Sequence, residues 1–190
     1  MLKAEIFRKL LNLWAIFIPV LYYLLPQSSA RSLLLLVTII IVAIDFIRLH
    51  INGVKEGFIL FFGSFLRRRE LTNLSGATFL LLGCLITAFL FSRPVVIASC
   101  SFIIIGDTFA AMFGQNIKSP KIFKKTLVGS LAYFISNLIV VFVLHSLLNV
   151  SIWVLLTGAI LSTIFEALPL PWDDNFSVPI LTGIGMSIIL

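Results

Sequence analysis

The stretch EALPLPWDDNFSVP, residues 166–179, separates two apolar runs near the end of a largely hydrophobic chain. Three of the chain's eight acidic residues fall within it: Glu166, Asp173 and Asp174. Pro169 and Pro171 prevent a helix from continuing through the stretch, because proline has no backbone N–H and clashes with the preceding turn. The stretch is therefore predicted to be a loop that joins two apolar helices and collects carboxylates beside them.

The composition indicates a membrane protein. The 190 residues are 60% hydrophobic and only 12% charged, against about 25% charged residues in a soluble domain. Several apolar runs approach the roughly 20 residues that a helix needs to cross a bilayer. The runs are continuous instead of alternating, which favours helices over barrel strands. We expect an all-α, polytopic membrane protein whose residues 1–190 form one membrane-embedded domain.

Seven apolar segments are candidates for membrane-spanning helices. The segment 51–70 differs from them, because it is half apolar and ends in Arg67-Arg68-Arg69-Glu70, so we expect an interfacial or re-entrant helix there. The seven candidate spans cover residues 10–26, 31–50, 74–92, 94–113, 126–147, 151–168 and 176–190.

The distribution of basic residues predicts the orientation of these spans. With seven spans, twelve of the fourteen Lys and Arg residues fall on one side, in the N-terminus, the segment 48–69 and the loop 118–125. Only Arg31 and Arg93 fall on the other side. Cytoplasmic loops are enriched in Lys and Arg, so the N-terminus is predicted to be cytoplasmic. The loop 169–175 then lies on the same cytoplasmic face.

Asp107 is the most informative single residue. It lies inside the fourth predicted span, where a carboxylate is expensive and marks a functional site by default. Ala110, Ala111 and Gly114 follow at helical spacing on its own face, and such small residues allow another helix or a ligand to approach closely. The alternative is a structural ion pair within the helix bundle.

The segment GQNIKSPKIFKKTLVGS, residues 114–130, carries four lysines and leads into the fifth predicted span. It lacks the spacing of a P-loop, and no strand precedes it. Lysines beside the N-terminus of a helix nevertheless suit phosphate groups, because that end of the helix carries partial positive charge. The segment is equally typical of a basic loop that contacts anionic lipid.

Together these features indicate a site for Mg²⁺ and phosphate. Asp107, Glu166, Asp173, Asp174 and Asn175 would lie at one membrane face, opposite the basic loop. Mg²⁺ prefers oxygen ligands and is usually held by one or two carboxylates together with substrate phosphates. Such a combination suits phosphoryl or nucleotidyl transfer, in which positioning and charge stabilisation dominate catalysis.

The motifs resemble those of the membrane-embedded CTP-dependent lipid kinases, namely dolichol kinase, phytol kinase and the yeast-type diacylglycerol kinase, which are related to phosphatidate cytidylyltransferases. The resemblance covers nearly the whole chain. The chain departs from the family pattern at Asn12 and Val128, and residues 115–124 contain no glycine. The matching pieces are Glu5-x-x-Arg8-Lys9, Gly106-Asp107-x-x-Ala110-Ala111-x-x-Gly114, Lys125-Thr126-x-x-Gly129-Ser130, and Glu166-Ala167-Leu168-Pro169 with Asp173-Asp174-Asn175-Phe176-x-Val178-Pro179.

The resemblance implies transfer of the γ-phosphoryl group of CTP to the hydroxyl of a membrane lipid alcohol: a polyprenol, phytol or diacylglycerol. It implies catalytic roles for Asp107, Lys125, Glu166, Asp173 and Asp174, with Lys125 on the phosphates and Glu166 as a base or as a partner that orients a lysine. It assigns Mg²⁺ to Asp107, Asp173 and Asp174. The nucleotide-binding residues that it implies are Gly106, Gly114, Lys125, Thr126, Gly129, Ser130 and Asn175.

Two alternatives remain open at this point. A cytidylyltransferase would use the same metal and nucleotide but would attach CMP to a lipid phosphate. A transporter without enzymatic activity would use the buried acids as proton or ion relays, although the candidate carboxylates are gathered toward one face. The expected location is a bacterial cytoplasmic membrane with the site on the cytoplasmic face. The expected partners are the nucleotide, the lipid and the bilayer, and no nucleic acid.

Overall fold

The computed structural model describes residues 13–63, 66, 68–123 and 125–190. The N-terminal motif from Glu5 to Lys9 and the departure at Asn12 lie outside these residues. The described part of the chain is helical apart from loops and one short hairpin. Its α-helices are α1 (Phe17–Leu24), α2 (Gln27–His50), α3 (Asn52–Phe62), α4 (Gly76–Leu90), α5 (Arg93–Asn116), α6 (Leu127–Leu148), α7 (Ile152–Ala167) and α8 (Asp174–Ile189).

The all-α prediction is confirmed, and each of the seven apolar segments contains a helix close to the predicted position. Helix α7 ends at Ala167, two residues before Pro169, as the proline pattern predicts. Helix α8 begins at Asp174, earlier than predicted, and continues through Pro179. Segment 51–70 holds α3 and a 3₁₀ turn, Arg68–Leu71.

Within the part of the chain that the structure describes, three helices are long and apolar enough to cross a bilayer: α2, α5 and α6. The apolar helices α4 and α7 are shorter, with 15 and 16 residues. At 1.5 Å per residue, a 16-residue helix reaches about 24 Å, less than the roughly 30 Å of the hydrocarbon core. Seven complete crossings and a cytoplasmic N-terminus therefore remain predictions.

Helix α5 is the central helix of the fold. It contacts α1, α4, α6, α7 and α8. In the apolar 18-residue stretch of α5, 67% of the residues are buried within the protein, whereas only 22% are buried in the corresponding stretch of α2. The difference places α2 at the periphery, with one face left for lipid. Asp107 is thus carried by the helix that most of the others contact.

Glycines allow α5 and α6 to pack closely. A Cβ atom on Gly106 would lie 2.6 Å from the ring of Tyr133, and one on Gly114 would lie 2.6 Å from Thr126 Oγ1 and 3.0 Å from Gly129 Cα. Any side chain at these positions would force the two helices apart. The small residues that follow Asp107 in sequence therefore serve a helix–helix contact.

The basic residues separate to opposite ends of the bundle. At one end, Arg31 Nε donates to Ala88 O over 2.8 Å and Arg93 Nε donates to Tyr22 O over 2.9 Å. The other end, which we call the polar end, holds the residues joined by ion pairs in this structure: Asp45, Arg48, Arg69, Lys125, Glu166, Asp173 and Asp174. For the described basic residues named here the predicted charge separation is present; Lys3, Arg8 and Lys9 lie outside the described part of the chain.

Asp45 and Arg48, three residues apart on α2, form a buried ion pair. Arg48 Nη2 lies 2.8 Å from Asp45 Oδ1, and the two side chains are 0% and 5% exposed. Asp45 Oδ2 accepts hydrogen bonds from Ser75 N and Thr78 Oγ1, over 2.7 and 2.6 Å. The pair therefore fastens α2 to the start of α4, which is a structural role.

A two-stranded hairpin between α5 and α6 was not predicted. Strand β1 (Lys121–Ile122) pairs antiparallel with β2 (Lys125–Thr126). Phe123 takes a left-handed conformation in the turn, with φ of 54°, which is unusual for a residue other than Gly, Asn or Asp. The hairpin places Lys125 at the entrance to α6.

Candidate active site

Lys125 joins three segments at the polar end. Its Nζ atom lies 2.7 Å from Glu166 Oε1, in the last turn of α7, and 2.7 Å from Asp174 Oδ2, in the first turn of α8. The sequence predicted that these three residues would lie together, and the structure brings them into direct contact. The contact depends on the hairpin, which holds the lysine, and on the proline-containing loop, which returns the chain to the same end.

The contacts of Lys125 determine its pKa and therefore its charge. Burial on its own lowers the pKa of Lys125, but the carboxylates of Glu166 and Asp174 outweigh it, so the pKa rises above its ordinary value of 10.5. The lysine is therefore an ammonium group at physiological pH. The Glu166 side chain is only 3% exposed, whereas Asp174 is 34% exposed, so the lysine connects a buried carboxylate to an accessible one.

Asp107 belongs to the same cluster. It is half-buried on α5, and its charge interacts with that of Glu166. Glu166 uses Oε1 for Lys125, while its buried Oε2 atom has no hydrogen-bond partner among the described residues. A buried polar atom without a partner is unfavourable unless a ligand satisfies it. The arrangement thus offers an acceptor to a substrate or a cation.

Asp173 is held by a different set of contacts from its neighbour Asp174. Its side chain pairs with Arg69, and its Oδ1 atom accepts from the backbone N–H of Asn175 over 3.1 Å, which caps α8. Asn175 is buried and donates from Nδ2 to Gly76 O over 3.1 Å, so it fastens α8 to α4. The two adjacent aspartates therefore have different cationic partners.

The contact with Arg69 was missed in the sequence analysis, where that residue contributed only to the basic face. Arg69 and Asp173 are 104 residues apart in the chain. No local spacing indicates such a pair. The orientation rule alone explains a basic run beside an apolar segment, and it takes almost no account of acidic residues.

The predicted magnesium site has few protein ligands. Among the residues that the structure describes, no group of three or more His, Cys, Asp or Glu side chains is close enough to hold a metal ion. Mg²⁺ commonly needs only one or two carboxylates when phosphates supply further ligands. Glu166 Oε2 and the accessible Asp174 fit such a cation, and Asp107 adds negative charge near Glu166. Magnesium binding by these residues, or by Asp173, remains a prediction.

The glycines assigned to the nucleotide occupy packing positions. The space beside Gly106 is filled by Tyr133, and Gly114 and Gly129 face each other across the contact between α5 and α6. Thr126 caps α6, because its Oγ1 atom accepts from Gly129 N over 3.2 Å. Ser130 is buried one turn into α6, and its Oγ atom has no partner in the described part of the chain.

Two sources of positive charge meet at the start of α6. The start of α6 carries the partial positive charge of a helix N-terminus, and Lys125 places a full positive charge next to it. The carboxylates beside Lys125 hold its ammonium group in one position until a more strongly charged ligand competes for it. A phosphate chain with a divalent cation is a ligand of that kind.

Comparisons with known proteins identify relatives. No family model matches the chain, and no solved structure matches it. The uncharacterized protein RP860 of Rickettsia prowazekii is 31% identical over 180 residues, which cover 91% of this chain and 88% of the relative.

Two further relatives carry the name CTP-dependent diacylglycerol kinase 1. The protein from Saccharomyces cerevisiae is 26% identical over 80% of this chain and 61% of its own length. The protein from Eremothecium gossypii is 27% identical over 79% of this chain and 55% of its own length. Diacylglycerol kinases are one of the three kinds of kinase that the motifs resemble. The chain belongs to the same family as the Rickettsia protein and is a distant homologue of these two kinases.

Proposed function

We propose that this membrane protein transfers the γ-phosphoryl group of CTP to the hydroxyl of a membrane lipid alcohol, with diacylglycerol as the first candidate. The observation that carries the proposal is the position of Lys125 between Glu166 and Asp174, beside the start of α6. The names of the two homologous kinases support both the donor and the acceptor.

In this proposal Lys125 binds the phosphates of the nucleotide. Its charge persists at physiological pH, and it can leave Asp174 for a phosphate oxygen without leaving the site, since Asp174 is accessible and Glu166 stays behind it. The N–H groups at the start of α6 add to the positive potential. Glu166 orients the lysine, and the buried Ser130 hydroxyl is a further donor at this helix start.

Asp107 and Asp174 are the residues that would hold Mg²⁺. When bound, the cation would neutralise charge on the phosphates during transfer. The lipid oxygen forms a bond to the γ-phosphorus, and the bond from that phosphorus to the bridging oxygen of CDP breaks. The hydroxyl proton passes to a carboxylate. Glu166 and Asp173 are the two candidates for that acceptor.

Label transfer tests the proposal. Purified protein in mixed micelles with Mg²⁺ and diacylglycerol is given CTP labelled at either the γ or the α phosphate. We expect label from the γ position in the extracted lipid and none from the α position. Label from the α position with phosphatidate as acceptor would instead support a cytidylyltransferase. Proton-coupled uptake into proteoliposomes without nucleotide would support a transporter.

A further inference from the structure

A pocket beside Asp173 is lined by none of the three residues of the lysine cluster, Lys125, Glu166 and Asp174. It has a volume of about 370 Å³, within the roughly 300–1,000 Å³ that is usual for small-molecule sites. Helices α4 and α8 and the segments before them form its walls. Its polar wall contains Arg69, Asn73 and Asp173, and its apolar wall contains Phe79, Leu82 and Phe176.

Close packing of α4 against α8 fixes the inner wall of this pocket. A Cβ atom on Gly83 would lie 2.7 Å from Asn175 O and 2.8 Å from Phe176 O, so the two backbones are in contact there. The bond from Asn175 Nδ2 to Gly76 O holds the same pair of helices together. The pocket is therefore a cleft whose inner wall is held in place by direct contacts between α4 and α8.

The polar wall matches an uncharged hydroxyl headgroup. Arg69 and Asp173 form an ion pair, so together they present a hydrogen-bond donor and an acceptor with no net charge. A hydroxyl can accept from the guanidinium and donate to the carboxylate at once. A phosphate headgroup would be attracted to Arg69 but repelled by Asp173, whose side chain is only 7% exposed.

The apolar wall and its surroundings match a hydrocarbon chain at a membrane surface. Trp172, which also lines the pocket, is 63% exposed, and tryptophan is enriched where membranes meet water. A lipid whose headgroup contacts Arg69 and Asp173 would lay its chain along Phe79 and Leu82 on α4. Its hydroxyl would then contact Asp173, the residue before Asp174, whose carboxylate binds Lys125.

We propose that this pocket is the binding site of the lipid alcohol, and that the two substrates meet at the N-terminus of α8. Asp174 faces the nucleotide side with Lys125, and Asp173 faces the lipid side with Arg69. The inference rests on the proposed function and specifies where its acceptor binds. It also accounts for two adjacent carboxylates with different cationic partners.

Another apolar cleft provides the competing location. It lies between α1, α5 and α6, has a volume of about 320 Å³, and is lined by Ile105, Phe109 and Ile139 among others. No charged side chain is among its described lining residues, so it lacks an ion pair like that of Arg69 and Asp173; its polar lining groups are the hydroxyls of Tyr23, Ser101 and Ser136. Annular lipid fills such a surface without specificity.

The test compares two neighbouring substitutions in α4. Leu82→Trp fills the proposed pocket, whereas Leu81→Trp, the matched control, projects into a separate apolar cleft against α1 and α2. We expect Leu82→Trp to raise the KM for diacylglycerol by about tenfold or more, which corresponds to about 1.4 kcal/mol, with the KM for CTP unchanged. Leu81→Trp should leave both values as in the wild type. Equal effects of the two variants would contradict the proposal.

Photolabelling of the wild-type protein gives a second test that needs no turnover. Diacylglycerol with a diazirine in its acyl chain should label peptides that contain residues 79–82 and 172–176. Excess unlabelled diacylglycerol should suppress the labelling, and phosphatidate should not. Labelling confined to α1, α5 and α6 would overturn the inference. If the wild-type protein transfers no phosphoryl group but labels as described, the proposed function fails and the lipid site stands.

Discussion

Lys125 Nζ and Glu166 Oε1 lie 2.7 Å apart, and the glutamate side chain is only 3% exposed. A buried carboxylate requires a compensating charge, and in this fold a lysine from a surface hairpin supplies it. Breaking a buried pair by removing one partner is strongly destabilising, whereas replacing both partners can be neutral. The lysine therefore contributes to stability as well as to the proposed catalysis, and the two contributions can be measured separately.

Lys125→Met should lower the free energy of unfolding by about 3 kcal/mol, the lower end of the range for breaking a buried pair, because the lysine is partly exposed. The double variant Lys125→Met/Glu166→Gln should recover much of that loss, because no uncompensated charge stays buried at Glu166. Unfolding in detergent, measured for both single variants and the double variant, checks this prediction. Additive losses would show that the two residues do not depend on each other.

The stability contributed by Lys125 should be independent of pH in the neutral range. Its pKa in the folded protein is raised above 10.5, so the contribution is fully present below the unfolded pKa and is lost only as the pH rises through the higher, folded value. The difference in unfolding free energy between the wild type and Lys125→Met should stay constant from about pH 6 to pH 9. A decrease within that range would mean that the lysine loses its proton there.

Asp107→Asn should abolish phosphoryl transfer and leave the protein folded, because it removes charge from the site without changing the shape of the side chain. Glu56→Gln, the same change at an exposed position of α3, is the control and should keep full activity. Transfer rates and melting temperatures of the two variants, measured over a range of Mg²⁺ concentrations, check the prediction. Full activity of Asp107→Asn would exclude this residue from the metal site.

The adjacent aspartates should have separable effects. Asp174→Asn should raise the KM for CTP, because it removes a carboxylate that would hold the Mg²⁺ bound to the phosphates. Asp173→Asn should raise the KM for the lipid, and it keeps the cap of α8, since Asn and Asp cap helices about equally well. Steady-state kinetics with each substrate varied in turn distinguish the two. Identical kinetic changes in both variants would contradict the assignment of the aspartates to different substrates.

Gly114→Ala should destabilise the contact between α5 and α6. Its new Cβ atom would lie 2.6 Å from Thr126 Oγ1 and 3.0 Å from Gly129 Cα, and overpacking of this kind costs about 1–3 kcal/mol. Gly57→Ala in α3 is the matched control, since no atom lies within 4 Å of its added Cβ. Melting temperatures check the pair of variants. An unchanged melting temperature for Gly114→Ala would show that the helices can separate at no cost.

The sequence predicts most of the helices, because continuous apolar runs end at residues with clear physical preferences. Pro169, for example, follows the end of α7, close to the predicted end of that span. The start of α8 is an exception, because Asp173 caps the helix and it begins at Asp174, two residues before the predicted span. The cluster of Lys125, Glu166 and Asp174 is also predicted, because each residue lies at the end of an apolar run and the charge distribution brings those ends to one face.

Other features depend on contacts that local sequence does not encode. Arg69 meets Asp173 across 104 residues, and neither residue type nor spacing indicates that partner. The hairpin that carries Lys125 turns at Phe123 with a positive φ, a conformation for which turn-forming residues would be expected. Whether α4 and α7 cross the bilayer depends on local membrane thickness and tilt, which composition does not determine.

The most direct test of the central claim is the rate of γ-label transfer from CTP to diacylglycerol, compared among the wild type, Lys125→Met and Lys121→Met. Lys121 is an exposed residue of the same hairpin, so its variant changes the charge of the loop equally. We predict that the kcat/KM of Lys125→Met falls at least about 100-fold, because the lysine would stabilise the negative charge that develops on the phosphates during transfer. The kcat/KM of Lys121→Met should stay close to that of the wild type. Equal activity of all three proteins would contradict the assignment of this site.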